Sequence, residues 1–296
     1  MTRRTLILAL LVAAVLPAVA VADDSLVTTI TSGPPKVASS SAMFAFAASD
    51  PGASFGCALD QAAFTSCAPP VTLTNVPDGQ HTFFVIAQNG TTQEKTPAYW
   101  TWTVDTAPPA AVTASHAAVG YKRLVLSWTA PADADHVVVL RGTSAKKAAT
   151  SQVYSGPASS YTEARFANAS YHRYSITSVD KAGNVSPAVQ VDVPASALLL
   201  APADGATLHA KKPQLFRWRA IPNATYYNIQ LWRGGRKVLT SWPHRSTLRL
   251  PATWKSRGHR YRLTAGYYTW FVWPGFGPRA NGSYGDLAGH AIFHAG

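Results

Sequence analysis

The residues best suited to bind a ligand are basic and aromatic side chains in the last third of the chain. From Ala197 to Gly296 there are 14 Lys or Arg residues and two acidic residues, Asp204 and Asp286. The rest of the chain has 12 basic and 12 acidic residues, so the net charge of +12 belongs to this region alone. The region also holds six of the nine tryptophans. A charge this uneven attracts anions whatever the geometry of a site.

Exposed aromatic and basic groups together are suited to sugars and anionic polymers, because rings stack on sugar faces and Arg forks bind phosphate or carboxylate. The candidate ligand-binding residues are Trp232, Arg233, Arg236, Trp242, Trp254, Arg257, Arg260 and Trp273. Trp218 and Trp270 are expected in a core instead. The alternative stays open that Arg and Trp alternate, as in Phe216–Arg219, because a strand has one solvated face.

Catalytic residues are not recognisable in this sequence. It has no Gly-x-Ser-x-Gly elbow, no His-Glu-x-x-His pair and no phosphate-cradling Gly-rich loop. Its only glutamates are Glu94 and Glu163, whereas a glycosidase needs two acids about 5–10 Å apart in a cleft. We therefore predict no enzyme and no cofactor, and an enzyme site built from loops without a motif ranks last.

Metal ligands are equally sparse. His290 and His294 have helical ligand spacing, but the residues between them are typical of a strand. Asp133 and Asp135 supply two acids, fewer than the six to eight oxygens around calcium. We predict no metal site.

Export is indicated by the amino-terminal segment. Arg3 and Arg4 precede an apolar run from Leu6 to Ala20, and Ala20-Val21-Ala22 is a small-residue cleavage site. A retained anchor is the alternative, although this run is short of the ~20 residues that cross a bilayer. We predict a cleaved signal peptide over residues 1–22, a secreted protein that is free or associated with the cell surface, and no membrane span in the mature chain.

The only cysteines, Cys57 and Cys67, agree with export, since exported proteins usually pair such residues. Two thiols are too few for the four ligands of structural zinc, and the spacing differs from a Cys-x-x-Cys redox pair. We predict a disulfide that joins two parts of one module.

The sequence pattern indicates that strands position the cysteines and the candidate ligand-binding residues. Met43–Ala47, His81–Ala87 and Tyr99–Val104 alternate with the period of a strand and are separated by turn residues. Phe55-x-Cys57-x-Leu59-Asp60, Phe64-x-x-Cys67, Asp78-Gly79-x-His81-x-Phe83 and Trp102-Thr103-Val104-Asp105 resemble the pattern of bacterial Ig-like extracellular domains. That resemblance implies that the cysteines bond, that Asp78-Gly79 turns the chain, and that the Trp102–Asp105 strand ends the module.

The middle of the chain resembles a fibronectin type III domain. The resemblance rests on Leu124–Trp128, His136–Arg141, Ser160–Thr162 and above all Tyr174–Asn184. It implies a sandwich with Trp128 in the core and with Tyr174 and Ile176 facing inward. The continuous apolar strand from His136 departs from the family's alternation and suggests that both of its faces are covered.

Residues 197–296 repeat this sequence pattern more weakly. Trp218 and Arg233 are 15 positions apart, against 13 for Trp128 and Arg141, and an insertion of two keeps the strand faces unchanged. The predicted fold class is all-β, with tandem immunoglobulin-like and fibronectin type III-like sandwiches after a cleaved signal peptide. The predicted domains are residues 1–22, 25–107, 108–195 and 197–296, with a stiff linker at Thr106–Pro109.

We therefore expect a non-enzymatic extracellular modular protein with structural, adhesion or surface-display roles. The alternative is binding of carbohydrate or an anionic cell-envelope polymer through the basic carboxyl-terminal module. The expected partners are cell-envelope polysaccharide or another surface protein, and no nucleic acid.

Overall fold

The computed structural model describes residues 26–90, 92–256 and 258–296. The predicted signal peptide and Arg257 lie outside these ranges. The described residues form 26 strands and one short 3-10 turn, with no α-helix among them, which confirms the all-β fold class. No helix in these ranges is long and apolar enough to cross a bilayer. The chain divides into two compact units, Met1–Val104 and Asp105–Gly296.

The first unit is a sandwich of two sheets. Its strands are β1 (Thr28–Ser32), β2 (Val37–Ala38), β3 (Ala42–Ala48), β4 (Ser54–Leu59), β5 (Thr65–Cys67), β6 (Val71–Leu73), β7 (Gly79–Asn89), β8 (Thr92–Gln93) and β9 (Ala98–Val104). One sheet has the order β1-β3-β6, and the other β2-β9-β7-β4-β5, with β8 added to β7.

Side chains that alternate inward and outward along these strands form the core of the first unit, as predicted. Phe44, Phe83 and Trp102 are buried between the sheets, and the Phe44 and Phe83 rings stack with centroids 4.2 Å apart. The predicted disulfide is confirmed: Cys57 on β4 bonds Cys67 on β5. A bridge that closes so short a loop contributes about 2–3 kcal/mol to stability.

The second unit contains two sandwiches. We call the first of them the second sandwich; its strands are β10 (Thr113–Gly120), β11 (Arg123–Thr129), β12 (His136–Gly142), β13 (Ser151–Gly156), β14 (Ser160–Glu163), β15 (His172–Val179) and β16 (Val189–Val193). The sheet β10-β11-β14 packs against the sheet β13-β12-β15-β16.

The core of the second sandwich contains the residues that the sequence predicts. Trp128, Tyr174 and Ile176 are all buried. The apolar strand β12 differs from expectation, because Val137 and Val139 are buried whereas Val138 is only half-buried. Its apolar run therefore includes one face that is not fully covered.

The third sandwich follows directly. Its strands are β17 (Leu199–Ala201), β18 (Ala206–Leu208), β19 (Gln214–Trp218), β20 (Tyr226–Arg233), β21 (Arg236–Ser241), β22 (Thr247–Leu250), β23 (Thr253–Ser256), β24 (His259–Arg262), β25 (Gly266–Gly275) and β26 (Gly289–Ala295), with the 3-10 turn Arg279–Asn281 before β26. The sheet β17-β19-β22 packs against the sheet β18-β26-β25-β20-β21, while β23 and β24 form a separate hairpin.

Trp218 and Trp270 lie in the core of the third sandwich, as expected, and are 2% and 0% exposed. This core also receives residues from the second sandwich, because Val119 and Tyr121 pack against it. The Tyr121 hydroxyl donates to the Asp286 carbonyl at 3.1 Å, and Lys122 Nζ lies 2.6 Å from Asp286 Oδ2. The two sandwiches are therefore joined by packing and by polar contacts.

Candidate ligand-binding surface

The outer side of the five-stranded sheet in the third sandwich carries most of the half-buried aromatic residues. On β25 the alternation that buries Trp270 and Val272 turns Phe271 and Trp273 outward. On β20 the same alternation turns Asn228, Gln230 and Trp232 outward. The strand register then sets Trp273 opposite Asn228 and Phe271 opposite Gln230. Aromatic and amide side chains thus come together on one accessible face.

Ring contacts make this face continuous. Phe271 stacks on Trp273, with centroids 5.8 Å apart and planes 22° apart, and on His290 of β26 at 5.7 Å and 28°. Trp232 meets the edge of Phe271, with centroids 6.5 Å apart. We call Trp232, Phe271, Trp273 and His290 the aromatic face. The Trp273 and His290 rings are each within about 30° of parallel to the Phe271 ring.

A polar groove borders the aromatic face along β21 and β23. Its volume is about 360 Å³. The residues that line it are Asn228, Gln230, Lys237, Thr240, Trp242, Lys255 and Ser256. The Trp232 indole N–H donates to Gln230 Oε1 at 3.1 Å, and Lys237 Nζ lies 5.5 Å from the centre of the Trp232 ring. Amides, hydroxyls and ammonium groups thus stand directly beside the rings.

Trp242 lies in this groove and is held by two contacts. Its indole N–H donates to the Tyr284 hydroxyl at 3.0 Å, and the Arg279 guanidinium lies 4.6 Å from its ring centre. One edge of the ring is thereby fixed by the loop that follows β25. Trp232, Trp242 and Trp273 are the candidate residues that the structure brings to this side of the sheet.

Trp254 is placed differently from the other candidates. It is only 7% exposed, its indole N–H donates to the Val238 carbonyl at 2.9 Å, and its ring stacks on Tyr261. The reason is the hairpin: Trp254 and Tyr261 are cross-strand partners on the side of the hairpin that packs inward. Trp254 is therefore a core residue and is not available to a ligand.

The arginine candidates lie around the sheet rather than on the aromatic face. Arg233, at the end of β20, donates to the Ala265 carbonyl at 2.7 Å and lies over the Tyr268 ring. Arg236 is its exposed cross-strand partner. Arg260 is exposed on the hairpin opposite Lys255. Arg257 lies outside the described residues.

Several residues of this surface are absent from the sequence-based set. The pairing of β20, β25 and β26 places Asn228 beside Trp273, and Gln230 and His290 beside Phe271. Because side chains alternate along a strand and Trp270 points inward, the sequence alone could have placed Phe271 on the outer face of β25. The neighbours on adjacent strands follow from the register in which the strands pair, and local sequence patterns do not predict that register.

The acidic residues of the third sandwich have structural partners. Asp204 Oδ1 accepts from the Ile292 N–H at 2.8 Å, and Asp286 pairs with Lys122. In the described ranges no group of three or more His, Cys, Asp or Glu residues is arranged to hold a metal ion. The chemistry that this surface offers is therefore stacking, hydrogen bonding and positive charge.

Comparison with known proteins adds a likeness in shape. No protein-family model and no curated protein matches the sequence. Among solved structures, the chain is similar to the fibronectin(III)-like modules of Clostridium thermocellum CbhA, at 14% identity and a TM-score of 0.40. The match covers 56% of this chain and 92% of that chain.

Proposed function

We propose that this protein is a non-catalytic, exported modular protein whose third sandwich binds a glycan chain across the aromatic face. The observation that carries the proposal is the stacked row of Trp273, Phe271 and His290, with Trp232 beside it, next to a groove lined with amides and hydroxyls. The first unit and the second sandwich then serve as supports that display this face.

The chemistry of the surface supports a sugar ligand. The C–H faces of a sugar ring are apolar and flat enough to lie on aromatic rings, while its hydroxyls need hydrogen-bond donors and acceptors at the edges. Asn and Gln amides supply both, and Thr hydroxyls do too. Binding sites commonly combine aromatic surface with a few well-placed polar groups. Here Asn228, Gln230 and Thr240 supply the polar groups.

A purely structural role is the second candidate, and the junction between the second and third sandwiches favours it. Tyr121 and Val119 pack into the neighbouring core, and Lys122 pairs with Asp286. Such a junction stiffens a tandem array and would suit a protein that only spaces or displays other surfaces.

The test is affinity electrophoresis of the full chain through gels containing hydroxyethyl cellulose, a neutral glycan, or alginate, a carboxylate-bearing one. Retention by the neutral glycan is expected to persist at high salt, because stacking is not screened by ions. Trp232→Ala and Trp273→Ala should each weaken it by about tenfold, as for anchoring aromatic residues in other interfaces.

The matched control is Tyr99→Ala, which removes a ring that is 68% exposed in the first unit and should leave retention unchanged. Thermal unfolding of each variant verifies that the fold is intact. Absence of retention in every gel, or equal retention of the Trp232→Ala, Trp273→Ala double variant, would reject the glycan proposal and leave the structural role.

A further inference from the structure

A second concavity lies at one end of the third sandwich, lined by residues that do not line the polar groove. Its volume is about 950 Å³. It opens between the turn that follows β18, the start of β23 and the segment after β24. The charged or titratable side chains that line it are His209, Lys211, Lys212 and Arg262, and no acidic side chain lines it. We call this concavity the basic cleft.

The turn that carries the two lysines is held by hydrogen bonds. The buried Gln214 amide donates to the His209 and Lys212 carbonyls, both at 2.8 Å. The Ala210 N–H donates to the Gly296 carbonyl at 2.9 Å, which ties the turn to the end of β26. Lys211 and Lys212 therefore project from a fixed turn, so a ligand does not have to order the backbone that presents them.

The opposite wall is the β23–β24 hairpin. Arg262 and Thr253 are cross-strand partners, as are Arg260 and Lys255, and Trp254 and Tyr261 occupy the alternate, inward side. The two outward pairs lie two residues apart along the strands, which is about 7 Å. Thr253 and Arg262 line the basic cleft, while Lys255 lines the polar groove.

The outward cations of the hairpin therefore connect those of the basic cleft with those of the groove. Starting in the cleft, these cations are Lys211, Lys212, Arg262, Arg260, Lys255 and Lys237. No carboxylate lies within salt-bridge distance of any of these six in the part of the chain that the structure describes. Several unpaired positive charges that follow one another across the surface fit a linear chain with repeating negative charges better than a single anion.

We propose that this set of cations, the basic track, binds a linear phosphate-bearing polymer, with its lysines acting as point charges and its arginines as forks on phosphate oxygens. Lys237 and Lys255 also line the polar groove, but Lys211, Lys212 and Arg262 do not, so substitutions of these three residues test the basic track separately from glycan binding. Lysine-rich sites suit phosphate groups, which present charge in several directions.

The test measures binding of the full chain to long-chain inorganic polyphosphate, to orthophosphate and to poly-L-glutamate by titration calorimetry at several salt concentrations. Polyphosphate is expected to bind and its affinity to fall steeply with salt, because binding releases counterions. The triple variant Lys211→Gln, Lys212→Gln, Arg262→Gln should weaken polyphosphate binding by about tenfold or more.

The matched control removes the same charge from β19, the residue that follows β19, and β22: Arg217→Gln, Arg219→Gln, Arg249→Gln. Those arginines are exposed and do not line the basic cleft, so this variant should retain most of the affinity. An equal loss in both variants would overturn the basic track, since net charge alone would then explain binding. Equal affinity for poly-L-glutamate would overturn the phosphate assignment, and orthophosphate binding as tight as polyphosphate binding would overturn the polymer. No binding of any probe would also overturn the proposal.

Discussion

The second and third sandwiches each pack a three-stranded sheet on a larger one, to which the third adds β18, but they differ in what their charged side chains contact. In the second, Arg141 pairs with Glu163 at 2.6 Å, and Arg173 holds Asp192 with two hydrogen bonds of 2.8 Å. In the third, no Lys or Arg among the described residues pairs with a carboxylate of its own sandwich. Asp286 instead pairs with Lys122 of the second sandwich.

Similar sandwiches thus carry two kinds of surface, one with arginines paired to carboxylates and one without such pairs. Both sandwiches bury a tryptophan from the middle strand of the three-stranded sheet, Trp128 on β11 and Trp218 on β19. In the second sandwich, the carboxylates of Glu163 and Asp192 neutralise two of the surface arginines. Where the cations are unpaired, as in the third sandwich, the surface keeps a field that can act on a partner.

The largest expected effect tests whether the two cores are equivalent. Trp128→Ala and Trp218→Ala should each lower the free energy of unfolding by about 3–5 kcal/mol, because each leaves a large cavity in a packed core. Urea denaturation followed by circular dichroism measures both. Tyr267→Ala, which removes a ring 72% exposed, is the control and should cost far less. A much smaller loss for Trp218→Ala would show that the third core is less tightly packed than the second.

The next effect tests whether the two sandwiches depend on each other. A Cβ at Gly285 would lie 2.3 Å from the Tyr121 hydroxyl oxygen and 2.9 Å from the Phe276 ring. Gly285→Ala should therefore displace Tyr121 from the third core and lower stability by about 1–3 kcal/mol. Gly120→Ala is the control, since the nearest atom there would be 3.7 Å away. Equal unfolding midpoints for the two variants would mean that the sandwiches are only loosely joined.

A smaller effect concerns pH and belongs to the second sandwich alone. The hydrogen bonds from the Arg173 guanidinium lower the pKa of Asp192 to about 2, below the value of about 3.9 for an unfolded chain. A lowered folded pKa stabilises the fold above pH 4, and this contribution disappears as the pH falls towards 2. Asp192→Asn should therefore lower the unfolding temperature at pH 6 and make little difference near pH 2.

Thermal scans of both proteins between pH 6 and pH 2 measure this convergence. Asp133→Asn is a suitable control, because no salt bridge to Asp133 occurs among the described residues. A difference between Asp192→Asn and the wild type that stayed constant down to pH 2 would contradict the role of the ionised carboxylate.

The sequence predicts the all-β fold class and several core residues, because inward and outward positions alternate locally along each strand. That is why the burial of Trp218 and Trp270 was expected. The candidate site could be predicted only in part. Residue type identifies Trp232 and Trp273, whereas the positions of Asn228 and Gln230 beside Trp273 and Phe271 depend on pairing between strands that are about 40 residues apart. Trp254 was placed wrongly because the hairpin that buries it has no counterpart in the second sandwich.

The smallest effect is also the most direct test of the comparison, because the same charge reversal should have opposite signs in the two sandwiches. Arg249 lies on the outer side of β22 opposite Leu215, diagonal to Arg217, and has no carboxylate partner among the described residues. Diagonal neighbours of this kind are about 7–8 Å apart at their α-carbons and interact through long side chains. Arg249→Glu replaces a like-charged diagonal pair by an opposite one and should stabilise the fold by up to about 0.5 kcal/mol.

Arg173→Glu should do the reverse, since it removes the partner of Asp192 and places two carboxylates together. Both changes in unfolding temperature should shrink in 1 M salt, where the screening length is about 3 Å. If both reversals destabilised the protein, Arg249 would contribute to the fold as Arg173 does. Opposite signs that converge with salt would show that Arg249, unlike Arg173, has no stabilising ionic partner in the fold.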